Sequence, residues 1–117
     1  MHYDEFDAWV RTLPGVTFDI KWGADRTYCL GAKVFVFAGA LDNEAPKLTF
    51  KASELAFEML TDSGVAVPAP YLARAKWVQL ARPDSLSDDE IKAYVAQSHA
   101  LVAAKLTRKQ RAELGIG

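Results

Sequence analysis

The segment APYLARAKWVQL, residues 69–80, decides how the two halves of this chain come together. Neither the residues before this segment nor those after it contain enough predicted strands and helices to form a complete two-layer domain. Within the segment, residues 71–75 are predicted as a single turn or a loop, and residues 76–81 as a strand. It also gathers two aromatic and two cationic side chains: Tyr71, Arg74, Lys76 and Trp77.

Four predicted strands precede this segment. Apolar and polar residues alternate over residues 16–22, which predicts a half-buried strand. One side of that strand carries Val16, Phe18, Ile20 and Trp22. Similar patterns predict strands at residues 26–30, 33–38 and 47–51, joined as in an antiparallel meander. The run over 33–38 is apolar at nearly every position, which is typical of a central strand. Residues 39–46 are predicted as a polar loop carrying Asp42, Asn43 and Glu44.

Helical patterns lie before, between and after these strands. The predicted helices cover residues 3–13, 54–62, about 88–105 and 108–115. Ser53 is the expected N-cap of the second helix, in which Leu55, Ala56, Met59 and Leu60 fall at helical spacing. Capping boxes at residues 87–90 and 107–110 open the last two helices. In the strand over 76–81, either Trp77, Gln79 and Ala81 or Val78 and Leu80 face the core.

The predicted element order is α-β-β-β-β-α-β-α-α, in one domain spanning residues 1–117. An antiparallel sheet of about five strands with helices at both chain ends predicts an α+β two-layer domain. Its helices pack on one face of the sheet. The other face is then partly open to a partner.

Composition excludes several classes of protein. A single cysteine, Cys29, rules out an intrachain disulfide framework and favours a reducing cytoplasm. No apolar run approaches the roughly 18 residues of a membrane span, so we expect neither a transmembrane helix nor a signal peptide. The net charge of −1 and the pI of about 6.1 differ from those of strongly basic nucleic-acid-binding proteins.

The charge is nevertheless unevenly distributed. Residues 16–51 and 74–82, which form the predicted sheet region, hold eight cations and four anions, a net charge of +4. The remaining residues hold six cations and eleven anions, a net charge of −5. This bias favours an anionic partner at the open sheet face. It also fits strands that simply carry lysine on a solvated side.

No set of residues indicates a reaction or a metal site. His2, His99 and Cys29 stand far apart in the sequence, whereas a metal site needs several converging ligands. Cys29 alternates with its strand neighbours, which favours a small packed side chain over a nucleophile. His99 is expected on a helix surface. We therefore predict no catalytic residue, no metal, no cofactor and no enzymatic activity.

The aromatic and cationic side chains of residues 71–77 allow two interpretations. A cation beside an aromatic ring on an open sheet can hold a phosphate or stack a base. Alternatively, Trp77 is a core anchor for the last strand. Arg74 and Lys76 are then solvated charges at a strand edge.

Several short motifs follow one another along the chain in a characteristic order and spacing. They are LPGV at 13–16, GAKVF at 31–35, LTFK at 48–51 followed by SEL at 53–55, and YL at 71–72 followed by KWV at 76–78. Over residues 3 to about 105, they resemble the MmcQ/YjbR-like family. The resemblance implies a fold similar to the frataxin/CyaY type, in small bacterial proteins described as DNA-binding with a double-wing arrangement.

The resemblance also implies a set of binding residues. Lys33 and Lys51 match the family's lysine positions, and Lys76 with Trp77 matches its pair of a basic residue and Trp. Tyr71 and Arg74 are added from the same aromatic and cationic segment, so the candidate nucleic-acid site is Lys33, Lys51, Tyr71, Arg74, Lys76 and Trp77. Binding is expected to be weak because the acidic pI argues against a tight duplex binder. The frataxin likeness would suggest iron at an acidic first helix, but Asp4, Glu5 and Asp7 are only three acids.

Two functions therefore follow from the sequence. The first is weak binding of DNA or another nucleic acid through a basic sheet face. The alternative is a module that binds a protein or a small molecule through an apolar patch around Trp22, Tyr71 and Trp77. In either case we expect a cytoplasmic monomer or weak dimer that does not contact a membrane.

Overall fold

The computed structural model describes residues 1–39 and 45–116. Its helices are α1 (Tyr3–Val10), α2 (Glu54–Asp62), α3 (Asp88–Ala103) and α4 (Arg108–Glu113). Its strands are β1 (Val16–Lys21), β2 (Asp25–Leu30), β3 (Lys33–Ala38), β4 (Thr49–Lys51), β5 (Ala66–Pro68) and β6 (Trp77–Leu80), with a 3-10 turn at Ala73–Ala75. Asp42, Asn43 and Glu44 of the predicted polar loop lie outside the described residues. Within the described ranges, no helix is both long and apolar enough to cross a membrane.

The described strands form one antiparallel sheet in the order β1-β2-β3-β4-β6-β5. The predicted α+β fold and its element order are confirmed, with one strand more than the five expected. The extra strand is β5, because residues 66–68, which lie between α2 and β6, pair with β6 from Ala66↔Leu80 to Pro68↔Val78. Proline is tolerated there because β5 is an edge strand.

The helices cover one face of this sheet, which we call the helix face. The ring of Phe6 on α1 lies 5.6 Å from that of Tyr28 on β2, and Tyr94 on α3 stacks on Phe50 of β4 at 6.2 Å. Val78 and Leu80 of β6 are buried in the same core, as are Ala56 and Leu60 of α2. Leu55 and Met59, which share the helical spacing on α2, are exposed instead.

The first helix is shorter than predicted. It ends at Val10 rather than at Leu13. The chain then tightens into turns in which Thr12 N–H donates to the Trp9 carbonyl and Leu13 N–H to the Val10 carbonyl. Such i→i−3 hydrogen bonds are typical of a helix end. Leu13 still packs against the core, so the apolar pattern was correct although the element boundary was wrong.

A β-bulge in β3 decides which side chains reach the opposite face, which we call the open face. Tyr28 pairs with Val36 and Cys29 with Val34, so Phe35 is an extra residue in β3. Phe35 can therefore face the helices beside Val36, and its ring meets His99 of α3 at 5.4 Å. Phe37 is directed to the open face, where its ring approaches that of Trp77.

Trp22 lies on the open face, so its predicted place beside Phe18 is wrong. Phe18 contacts Tyr28 on the helix face at 5.4 Å, whereas Trp22 contacts Phe37 at 5.2 Å. The reason is that β1 ends at Lys21 and Trp22 adopts a left-handed backbone conformation with φ of 51°. Strand alternation no longer applies once the backbone leaves the extended region.

A buried network of tyrosines joins α1 to β2. The Tyr28 hydroxyl donates to the Asp7 carboxylate at 2.8 Å and accepts from the Tyr3 hydroxyl at 2.6 Å. Burial, reinforced by both hydrogen bonds, raises the pKa of Tyr28 well above the usual range of a tyrosine. Arg26 covers this network from outside, with its guanidinium 3.7 Å from the centre of the Tyr3 ring.

We predict that Tyr28→Phe lowers the free energy of unfolding by about 1–3 kcal/mol, because a buried hydrogen bond to a charged carboxylate is lost. Because the pKa of Tyr28 is raised by folding, its contribution is complete below about pH 10 and declines at higher pH. The difference between variant and wild type should therefore shrink above that pH. Urea unfolding monitored by circular dichroism measures both effects. Tyr71→Phe is the matched control, since Tyr71 is fully exposed; an equal loss in both variants would contradict this account.

Candidate binding hollow on the open sheet face

A hollow of about 330 Å³ lies at one end of the sheet, where the open face meets the C-terminal end of α3. Because β3, β4 and β6 are antiparallel neighbours, the first residues of β3 and β6 meet the last residue of β4 at this end. The residues lining it are Trp22, Lys33, Val34, Lys51, Leu72, Ala75, Trp77, Val102 and Lys105. We call it the lysine–tryptophan hollow.

Trp22 and Trp77 line the inner side of this hollow, and the Phe37 ring contacts both. The ring centre of Phe37 lies 5.2 Å from that of Trp22 and 5.9 Å from that of Trp77. We call this row the aromatic ridge. Beyond it lies a second hollow of about 270 Å³, lined by Phe37 together with Asp25 and Lys47. The ridge therefore separates a hollow lined only by positive charges from one of mixed charge.

Three lysines supply the charge of the lysine–tryptophan hollow. Lys33 begins β3, Lys51 ends β4, and Lys105 follows the end of α3. None of the lining residues is acidic, and none of the three lysines forms an ion pair with a residue that the structure describes. The apolar part of the lining consists mainly of Val34, Leu72, Val102 and the indole rings of Trp22 and Trp77. The hollow is thus suited to a ligand with a negative charge and a flat or apolar portion.

Lys51 is held in place from two sides. Its ammonium group donates a hydrogen bond to the Ala75 carbonyl, and its own carbonyl accepts one from the buried Ser98 hydroxyl at 2.5 Å. Burial lowers the pKa of Lys51, and the nearby positive charge of Lys105 lowers it further. An anion bound between the two ammonium groups would relieve this repulsion.

Trp22 combines exposure with backbone strain. Its side chain is 62% exposed and its φ is 51°. A bulky residue in the left-handed region costs about 1–3 kcal/mol, and such strain occurs preferentially at functional sites. Burial does not account for an indole at this position. A flat ring held beside three lysines fits the stacking of a ligand.

The structure brings together three of the six predicted binding residues. Lys33, Lys51 and Trp77 line the hollow, whereas Tyr71, Arg74 and Lys76 do not. Tyr71 and Arg74 are exposed, and the Lys76 ammonium lies 4.9 Å from the Phe57 ring of α2, on the helix face. Trp77 is 8% exposed and packs against Phe37. Trp77 is therefore both a packed anchor of β6 and part of the lining of the hollow, so the two interpretations of this residue do not exclude each other.

The sequence did not identify Lys105 and Val102 as site residues. Both reach the hollow only because α3 crosses the sheet and ends beside Lys51. The capping box of α3 gives the start of that helix, but no local pattern gives its direction across the sheet. Trp22 was assigned only to the alternative apolar patch and not to the nucleic-acid site.

The other cations of the predicted sheet region are distributed over separate surfaces. Lys21 pairs with Asp19 at 3.5 Å, and Arg82 pairs with Asp84 at 3.4 Å. Arg26 reaches the helix face, where it stacks on the Tyr3 ring. The lysine–tryptophan hollow brings three lysines together in a lining that contains no acidic residue.

Residues considered for other chemistry have packing roles. Cys29 is 2% exposed, with its Sγ atom 3.8 Å from the Thr27 hydroxyl. His99 is half-buried rather than on the helix surface, because its Nε2 atom lies 2.7 Å from the Pro14 carbonyl oxygen. Among the described residues, no three side chains of the His, Cys, Asp or Glu type converge as a metal site would require.

Comparison with known proteins identifies the family. The sequence model of the YjbR family matches residues 11–101, which is most of the chain. The chain belongs to the YjbR family. This match confirms the resemblance carried by the short motifs. It covers all six strands of this YjbR-family chain together with α2 and most of α3.

The fold is shared with a solved structure. The crystal structure of Deinococcus radiodurans protein DR2400, described with the family domain DUF419, matches with a TM-score of 0.83. The match covers 99% of this YjbR-family chain and 89% of that protein, at 18% sequence identity. At such identity the likeness shows the fold alone. A comparison with curated proteins found no match.

We predict that Lys51→Met stabilises the protein slightly, by less than about 1 kcal/mol at neutral pH, because it removes a partly screened repulsion. The pKa of Lys51 is lowered by folding from 10.5, so the charged lysine destabilises the fold at neutral pH. This penalty disappears as pH rises through the folded pKa towards 10.5, and the stability gain of the variant should disappear with it. Thermal unfolding between pH 7 and pH ~10.5 measures the trend.

The matched control is Lys47→Met, an exposed lysine that precedes the same strand. It should leave the melting temperature unchanged. A Lys51→Met variant that is less stable than wild type at neutral pH would show that the hydrogen bond to Ala75 outweighs the repulsion from Lys105.

Proposed function

We propose that this chain is a non-enzymatic domain that binds nucleic acid weakly, with DNA among its ligands, through the lysine–tryptophan hollow. The observation that carries the proposal is the placement of Lys33, Lys51 and Lys105 around one hollow that exposes the Trp22 ring. Lysines neutralise phosphates, and an exposed aromatic ring stacks a base without regard to its identity.

A single strand fits this site better than a duplex. Bases within a duplex are stacked on each other and cannot meet the Trp22 ring without leaving the stack. The hollow is also small, at about 330 Å³, and only three lysines line it. Acids elsewhere leave the whole chain with a net charge of −1, so a long duplex would gain little from sites beyond the hollow.

A second candidate function rests on a different surface. Leu55 and Met59 on α2 are 67% and 56% exposed, and they lie on the same helix one turn apart. Exposed apolar side chains of this kind favour contact with a protein partner. This surface lies on α2, away from the lysine–tryptophan hollow, so the two functions are tested by separate variants.

We expect a labelled single strand of about 12 nucleotides to bind more tightly than a duplex of the same length. If the three lysines together neutralise three phosphate charges, affinity for the single strand should fall about 20-fold between roughly 50 and 200 mM salt. Fluorescence anisotropy measures both. Affinity that does not change with salt would contradict a site built on lysines.

Matched variants locate the binding site. Lys51→Met should weaken binding and reduce the salt dependence by about one phosphate contact. Lys76→Met also removes one positive charge, but from a side chain that lies outside the hollow. Lys76 belongs to residues 71–77, which the sequence analysis favoured as a binding segment. This variant should bind as wild type does. If Lys76→Met is as defective as Lys51→Met, the nucleic acid binds elsewhere.

Leu55→Ser with Met59→Ser should leave nucleic-acid binding intact and abolish only protein contacts through α2.

We predict that Trp22→Gly loses about tenfold in affinity for the single strand, since stacking on an aromatic ring contributes about 1–3 kcal/mol per base. Its stability should stay within about 1 kcal/mol of wild type, because relief of backbone strain offsets the lost contact with Phe37. Trp77→Ala, by contrast, should destabilise the fold by about 3–5 kcal/mol. Unchanged affinity of Trp22→Gly would show that the exposed indole is not a stacking surface.

A further inference from the structure

The charge of the lysine–tryptophan hollow exceeds what one internal phosphate of a strand can neutralise. Lys33, Lys51 and Lys105 place three positive charges around one hollow without an acidic residue in its lining. An internal phosphodiester carries one negative charge. A phosphomonoester, such as the phosphate at the end of a strand, carries nearly two at neutral pH because its second pKa is about 6.

The shape of the hollow limits how a strand can enter it. The aromatic ridge of Trp22, Phe37 and Trp77 stands between this hollow and the second hollow on the open face. Trp22 comes from the turn after β1, which lies at the opposite end of the sheet from Lys33 and Lys51, so its ring lines the hollow on the inner side. Towards the middle of the open face the hollow is therefore bordered by aromatic rings, and its lysines lie towards the end of the sheet. A groove that follows a continuous strand would carry cations along its whole length.

The size of the hollow agrees with a short ligand. About 330 Å³ is at the lower end of the range of about 300–1,000 Å³ for small-molecule sites. Such a volume holds a single nucleotide unit. The apolar part of the lining, Val34, Leu72 and Val102, together with the two indoles, suits the base and sugar better than a bare anion.

From these three observations we propose that the hollow is a terminal-nucleotide site, which binds the end of a single strand through its phosphomonoester. The three lysines hold the terminal phosphate, and the Trp22 ring stacks the adjoining base. This inference rests on the proposed nucleic-acid binding and specifies which part of the strand is bound. A free nucleoside monophosphate presents the same chemistry and should occupy the same site. Inorganic phosphate shares the charge but not the base, and should bind less tightly.

The test compares single strands of one sequence that differ only at their ends. Strands of about 12 nucleotides carry a 5′ phosphate, a 3′ phosphate or hydroxyl groups at both ends, with the fluorophore attached at an internal base. We expect one phosphorylated strand to bind at least about tenfold more tightly than the hydroxyl strand at roughly 100 mM salt. That preference should fall at pH values below about 6, where the monoester loses its second charge. It should also disappear in Lys51→Met and persist in Lys76→Met.

Adenosine monophosphate supplies the second measurement. It should displace the phosphorylated strand and change the tryptophan fluorescence of the protein, and Trp22→Phe should reduce that change. Equal affinities of all strands would overturn the terminal-nucleotide site while leaving the proposed nucleic-acid binding in place. If no strand binds, the proposed function fails; a response to adenosine monophosphate that Lys51→Met abolishes would then still support the site for a free nucleotide. If neither strands nor adenosine monophosphate bind, both proposals are wrong.

Discussion

The fold depends on the pairing of β4 with β6. In this pairing Phe50 lies opposite Val78 and Lys51 lies opposite Trp77. Hydrogen bonds beyond the strand ends extend it, from Ala52 N–H to the Lys76 carbonyl and from Leu80 N–H to the Leu48 carbonyl. The β1–β4 meander and the C-terminal helices are thereby joined into one sheet with one helix layer, and β5 is added at the edge of β6.

Phe50 and Val78 complete the core on the helix face, while the next pair along the strands places Lys51 beside Trp77 on the open face. Because opposite residues in an antiparallel pair have adjacent side chains, the contact that completes the core also forms the centre of the hollow.

The bulge at Phe35 has a similar double effect. A regular β3 strand would send Phe35 and Phe37 to the same face, and the other face would then receive no phenylalanine from β3. With the extra residue, Phe35 fills the core against His99, and Phe37 joins Trp22 and Trp77 in the aromatic ridge. The ridge separates the two hollows of the open face, so one irregularity in one strand determines both the packing of α3 and the shape of the candidate site. Bulges commonly redirect side chains in this way near functional sites.

Local patterns predicted most of the fold and only part of the site. The capping boxes at Ser87 and Thr107 form as the sequence indicated, and the apolar run over residues 33–38 is a central strand. These features depend on neighbouring residues in the sequence, so a single sequence is enough to recognise them. The strand β5 was not predicted because it has only three residues and one of them is Pro68, although an edge strand tolerates proline. Lys105 was missed because its contact with Lys51 depends on the direction of α3 across the sheet. Trp22 was placed on the wrong face because its left-handed φ breaks the alternation, and a bulky residue gives no sequence signal for that conformation.

Two features that oppose stability occur at the same hollow. The positive charges of Lys51 and Lys105 repel each other, and the backbone of Trp22 is strained. Residues that served stability alone would remove both, for example glycine at the position of Trp22 and an uncharged residue at that of Lys51. Elsewhere on the described surface, some cations pair with a nearby acid, as Arg11 does with Asp7 and Lys21 with Asp19. Sequences that fold well are locally consistent except where function requires otherwise. The coincidence of repulsion, strain and exposed aromatic area in one small volume therefore supports a binding role for this hollow more strongly than the net charge of the sheet region does, because that net charge is distributed over several unrelated surfaces.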